Sequence, residues 1–113
     1  MPIEGNYGPW LTDTIASGTT TGEINLRNNF KRVIVMVPTI TSGTITVHVS
    51  DASSGTFYPM YALDDDATGD FASATSAATN TKAVIFEIGW AQYIKVVFGA
   101  SQSTLTVTVR GIK

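Results

Sequence analysis

Few side chains in this sequence are equipped for chemistry, and their spacing limits what they can do. His48 is the only histidine and cysteine is absent. A metal centre would rest on His48 and carboxylates such as Asp51, a poor match to the nitrogen- and sulfur-rich sets that zinc selects. The acidic residues cluster once, at Asp64, Asp65, Asp66 and Asp70. Asp64, Asp66 and Asp70 offer hard oxygen donors and Gly69 permits a tight backbone path, which makes the stretch a calcium candidate. It lacks the closing glutamate and the spacing of the helix-loop-helix calcium site, so a solvated acidic turn is the simpler reading. No serine sits in a strand-to-helix turn of the nucleophile-elbow kind. The sequence therefore predicts no catalytic residues, no cofactor and a non-enzymatic protein.

Aromatic residues carry more information. Trp90 follows Gly89 between two apolar runs, as at a hairpin tip, where burial is hard to complete. A tryptophan placed there serves as an interface anchor or as a stacking platform for sugar, unless it folds back over the end of the domain. Phe57 and Tyr61 fall on one side of their segment and Tyr58 on the other. Residues 1–11 intersperse Ile3, Tyr7, Trp10 and Leu11 with Gly5, Gly8 and Pro9. That mixture predicts an extended N-terminal arm with apolar anchors, followed by one domain over residues 12–113. Tyr7, Trp10, Leu11, Phe71 and Trp90 are the expected partner-binding residues.

The elements that must position these groups are strands. In 44–50 and 104–110, aliphatic residues alternate with threonine: Ile45, Val47 and Val49 fall on one face, Thr44, Thr46, His48 and Ser50 on the other. Threonine suits a pleated outer face, and neutral hydroxyls pack against another protein with no charge to desolvate. Strands are expected at Thr12–Ala16, Glu23–Leu26, Lys31–Val37, Gly43–Ser50, Thr56–Leu63, Lys82–Ile88, Gln92–Phe98 and Thr104–Arg110. Ser17-Gly18, Asn28-Asn29, Gly89 and 99–101 read as turns between them. Val33–Val37 and Val84–Ile88 are apolar almost throughout, which predicts central strands covered on both faces. Pro59 confines its segment to a sheet edge or a bulge. The long stretch Asp64–Thr81, with Phe71 its one large apolar residue, reads as a surface excursion holding one short strand, or as a contact loop. No window has a helical period. The fold class expected is all-β: a single antiparallel two-sheet sandwich, jelly roll in type. Its core should contain Val33, Val35, Val37, Ile45, Val47, Val49, Val84, Phe86, Ile88, Ile94, Val96, Phe98, Leu105, Val107 and Val109.

Composition sets the remaining bounds. With 113 residues the chain makes one domain able to bury a single core without disulfides. Net charge is −2 and charged residues make up 14%, well under the ordinary share of about 25%. There is no basic stripe for nucleic acid, no apolar run near the ~20 residues of a membrane helix, and no secretory pattern at Met1–Gly5. Sparse charge on neutral strand faces predicts self-association.

Taken together, the runs Phe30-Lys31-Arg32-Val33-Ile34-Val35, Gly43 to Ser50, Ser54 to Tyr61 and Ala91 to Val97 resemble small structural proteins of tailed-phage virions. That resemblance implies a capsid cement or decoration protein on the virion surface, made in the host cytoplasm, with the major capsid protein or another virion protein as partner. It also implies a homo-oligomer, a trimer ahead of a dimer. A second likeness lies in Ala91-Gln92-Tyr93-Ile94-Lys95-Val96, which is similar to a strand of galactose-binding-like jelly rolls, although Gln92 and Lys95 stand where that pattern carries arginine. It implies the alternative, a receptor- or glycan-binding module of a tail or fibre. The expected partners include neither nucleic acid nor membrane.

Overall fold

A computed structural model describes residues 6–40, 43–63, 71–73, 75–77 and 81–113. Its strands are β1 (Leu11–Thr20), β2 (Ile24–Val37), β3 (Thr44–Ser50), β4 (Tyr58–Pro59), β5 (Tyr61–Leu63), β6 (Phe71–Ser73), β7 (Thr75–Ala77) and β8 (Lys82–Ile112). All pairings are antiparallel, and no helix occurs among the described residues.

A straight strand of the 31 residues in β8 would reach about 100 Å, whereas the molecule measures 40 Å along its longest axis. β8 must therefore bend, and its pairing shows how. From Leu11 to Val37 the chain runs antiparallel to β8 nearly throughout: Leu11 faces Val109, Thr20 faces Val97, Ile24 faces Ile94 and Val37 faces Lys82. This long two-stranded ribbon then folds back on itself. Val33 pairs with Phe86 on one side and Gly111 on the other, and Val35 with Val84 and Val109. β3 adds to the outer edge of β8, with Val47 opposite Val96, and β4 and β7 flank β3 in turn.

The bends coincide with backbone in the left-handed region. Gly18 has φ 124°, Arg27 72°, Gly89 63°, Trp90 69° and Thr104 48°. Ser17-Gly18, Asn28-Asn29 and Gly89, expected to be turns between separate strands, are instead corners inside continuous strands, with the pairing register shifted at the first two. A positive-φ residue that takes the strand through a bulge bends it without ending it. Trp90 therefore stands at a corner of the ribbon and not at a hairpin tip.

One core fills the fold. Ile15, Leu26, Phe30, Val33, Val35, Ile45, Val47, Phe86, Ile94, Val96, Phe98, Val107 and Val109 are all buried in it. Val84 only packs against it, as does Val49, where the inside-outside alternation of β3 slips at its end and Ser50 is buried in place of Val49. Ile15, Ile24, Leu26, Phe30 and Ile40 join the core without having been expected there. Val33–Val37 is central within its sheet, with β8 on both flanks. Its second face is open, however: Ile34 is half-buried, Met36 is exposed and Ile85 is 58% exposed. The expectation that both faces are covered fails because a run of aliphatic residues specifies a strand without specifying what lies over it. Pro59 sits in a two-residue edge strand, and Met60 N–H donates to the Val47 carbonyl at 3.0 Å to keep the pairing. Within Asp64–Thr81 the described residues include two short strands where one was expected, β6 opposite β5 and β7 along β3.

Candidate functional site

The open face of the sheet is built by register. Along Arg32–Met36 the even-numbered residues of β2 point outward, as do odd-numbered residues of β8 beside them and even-numbered ones near its end. Ile85, Ile34 and Arg110 consequently form one row, and Ala83, Met36, Thr108 and Thr12 the next. Thr106 and Thr14 continue it, their hydroxyls hydrogen-bonded at 2.8 Å. An ion pair, Arg32 Nε to Glu87 Oε2 at 2.6 Å, borders the apolar row. Both partners are largely exposed, so the pair adds little stability.

Arg110 is the centre of this face. Its guanidinium carbon lies 4.4 Å from the ring centre of Tyr7 and 4.4 Å from that of Trp10. Both rings stay about half exposed while they hold the cation against their attractive π faces. Arg110 Nε is buried with no hydrogen-bond partner among the described residues. The segment carrying Tyr7 is laid along the end of β8: Tyr7 bridges to Ile112, Gly8 N–H donates to the Gly111 carbonyl, and Lys113 N–H donates to the Asn6 carbonyl. Beneath it, the buried Phe30 ring covers Gly8 and Gly111, where a Cβ would intrude on the ring. Two exposed aromatics around a partly buried arginine have the composition of an interaction hot spot.

A second feature lies at the Gly89-Trp90 corner. A cleft of about 480 Å³ opens there, lined among others by Trp90, Tyr58, Met60, Asp51, Asn29 and Gln92. Trp90 is 50% and Tyr58 62% exposed. The corner is stitched by amides: Asn29 Nδ2 donates to the Trp90 carbonyl at 2.8 Å, and Asn25 Oδ1 accepts from Arg27 N–H and from Gln92 Nε2. The turn carrying Asp51 is held by Glu23, whose carboxylate accepts from the Ser53 hydroxyl and the Ser54 amide at 2.7 Å each. Those two bonds, first the Ser53 hydroxyl and then the Ser54 amide, hold the Glu23 carboxyl below its usual range.

The sequence-predicted residues separate into groups. Tyr7 and Trp10 come together on Arg110, whereas Leu11 opens β1 and packs toward the core. Trp90 joins Tyr58 in the cleft. The backbone of Phe71 lies opposite Leu63 in the β5–β6 pair. Asp64, Asp65, Asp66 and Asp70 lie outside the described residues. Among those described, no three His, Cys, Asp or Glu side chains gather as metal ligands. His48 is opposite Lys95, and partial burial followed by that cation pushes its pKa down, keeping the ring neutral. Arg110 was missed because an arginine ending a strand looks like ordinary surface charge. Its role depends on which residues the register sets beside it.

These features define a small antiparallel β protein in which, among the described residues, the large exposed aromatic and apolar side chains gather into two surfaces. No family model and no curated protein matches the sequence. Among solved structures, the fold is similar to that of the SPBc2 prophage-derived protein YomS, with a TM-score of 0.59 and 14% identity over 100% of both chains. Fainter likenesses are to Tobacco streak virus coat protein (TM-score 0.38, 11% identity, 100% of this chain and 90% of that one) and to a protein of Bacillus endospore appendages (0.34, 12%, 99% and 95%). The likeness to YomS concerns the fold alone.

Proposed function

We propose that this chain is a non-enzymatic structural subunit of a phage particle that binds and stabilises an assembled capsid through its open sheet face. The observation that carries the reading is the Tyr7–Arg110–Trp10 stack beside Ile85, Ile34 and Met36, with the Arg32–Glu87 ion pair at its border. Covering such a face removes apolar area from water at about 25 cal/mol per Å² and desolvates few charges. A protein that binds the assembled shell and not its dissociated parts raises shell stability by mass action, so the mechanism needs no catalytic group. In this reading the antiparallel ribbon belongs to a two-sheet jelly roll, the scaffold that holds the docking face. Residues 1–11 act in this reading as an arm whose aromatic anchors complete the docking surface. Self-association through the same face is the expected solution behaviour, a trimer ahead of a dimer.

Co-sedimentation with purified phage capsids tests the proposal. Binding that Ile85→Lys and Trp10→Ala each weaken tenfold or more supports it. Failure to bind any expanded shell removes it.

A further inference from the structure

The cleft at the Gly89-Trp90 corner uses none of the side chains assigned to capsid docking. We infer that it is a binding site for a neutral saccharide, with Trp90 and Tyr58 as stacking platforms and Asp51 as hydrogen-bond acceptor for sugar hydroxyls.

Four observations carry this. First, the cleft holds about 480 Å³, within the range of small-ligand sites, and it is open enough to admit the end of a chain. Second, its walls divide as a pyranose requires. Half-exposed Trp90 and Tyr58 offer flat apolar surface to the C–H face of a sugar ring, while Asp51, Asn29 and Gln92 offer polar groups to its hydroxyl edge. Third, among the described residues no lysine, arginine or histidine lines the cleft, so phosphates, carboxylates and nucleic acid find no counter-charge there. An uncharged polyhydroxyl ligand matches that electrostatic balance.

The fourth observation is conformational. Trp90 has φ 69° immediately after Gly89 at 63°. Positive φ is unfavourable for a bulky residue, and glycine or asparagine fills such positions at little cost. Yet the largest side chain stands at one of these two positions, half out in water, with Asn29 tying down its carbonyl. Folding alone favours a small residue here. A strained, exposed and anchored tryptophan points to the ligand it presents.

The strain also supplies a clean test, because Trp90→Gly suits the backbone and should fold at least as well as the parent chain. The probe is an array of neutral oligosaccharides of glucose, galactose, mannose and N-acetylhexosamine, followed by titration of the best ligand at millimolar concentration. Binding by the intact protein is expected, with a loss of tenfold or more in Trp90→Gly and a smaller loss in Asp51→Asn. Trp10→Ala serves as control and should bind sugar unchanged. Silence across the array, or binding that survives Trp90→Gly undiminished, overturns the inference. Preference for sialylated or sulfated glycans over neutral ones also overturns it, since among the described residues no cationic side chain lines the cleft. Capsid co-sedimentation of Trp90→Gly reports separately on the docking face, so the two proposals fail independently.

Discussion

Gly111→Ala should destabilise the protein although the position tolerates any residue by backbone angle. Gly111 is not among the positive-φ glycines, and its neighbours in β8 are ordinary strand. The obstacle is space. A Cβ at 111 would overlap Cδ2, Cγ and Cε2 of Phe30, whose ring is 2% exposed and has no route out of the core. Forcing a methyl group into a packed core costs about 1–3 kcal/mol, which at roughly 4 °C per kcal/mol lowers Tm by about 4–12 °C. Gly8 meets only the far tip of the same ring, at 2.9 Å, so Gly8→Ala should cost less. Phe30→Ala alone should cost about 3–5 kcal/mol for the cavity it leaves. When Phe30→Ala and Gly111→Ala are combined, the methyl group added at position 111 occupies that cavity. The joint cost should then fall at least about 1 kcal/mol short of the sum, the coupling expected of residues in contact. Urea unfolding followed by far-UV circular dichroism gives all four corners of the cycle. Additive costs, or a Gly111→Ala protein within about 1 °C of wild type, would show that Phe30 does not lie on the Gly8–Gly111 pair.

The two faces of β8 predict opposite outcomes at adjacent positions: Phe86→Ala should cost about 3–5 kcal/mol and Ile85→Ala under about 1 kcal/mol, by the same unfolding measurement. Trp10→Ala should change the stability of the isolated chain by about 1 kcal/mol or less, the worth of an exposed cation–π contact, yet weaken self-association in light scattering tenfold or more. Acid sensitivity should come from two groups whose folded pKa values lie below the ordinary 4.5 for Glu23 and 6.5 for His48. In each case the unfolded chain binds the proton first, so the stabilisation is complete above the ordinary value and lost as pH falls through the lower folded one. Glu23→Gln should therefore flatten the Tm profile below about pH 4.5 and His48→Thr below about 6.5, and profiles parallel to wild type would refute both assignments.

The amino-acid sequence determined by itself that this protein is all-β and which side of most strands is buried. Alternation in 44–50 and 104–110 is a local property, since successive side chains must point to opposite faces wherever the strand ends up. It also limited the chemistry, because one histidine and no cysteine leave few ways to build a reactive centre. Its reading failed at the corners. Gly18, Asn28-Asn29 and Gly89 look like turns, and whether such a residue ends a strand or bends it depends on the partner strand, which lies up to ninety-eight positions away where Leu11 meets Val109. The same holds for the exposed face over Val33–Val37, because an aliphatic run carries no record of what covers it. Only the folded ribbon brings Tyr7 and Trp10 onto Arg110, seats Phe30 on two glycines and gathers Trp90, Tyr58 and Asp51 around one cleft. Each of those contacts joins residues distant in the chain. Register, a property of pairs of strands, decides them.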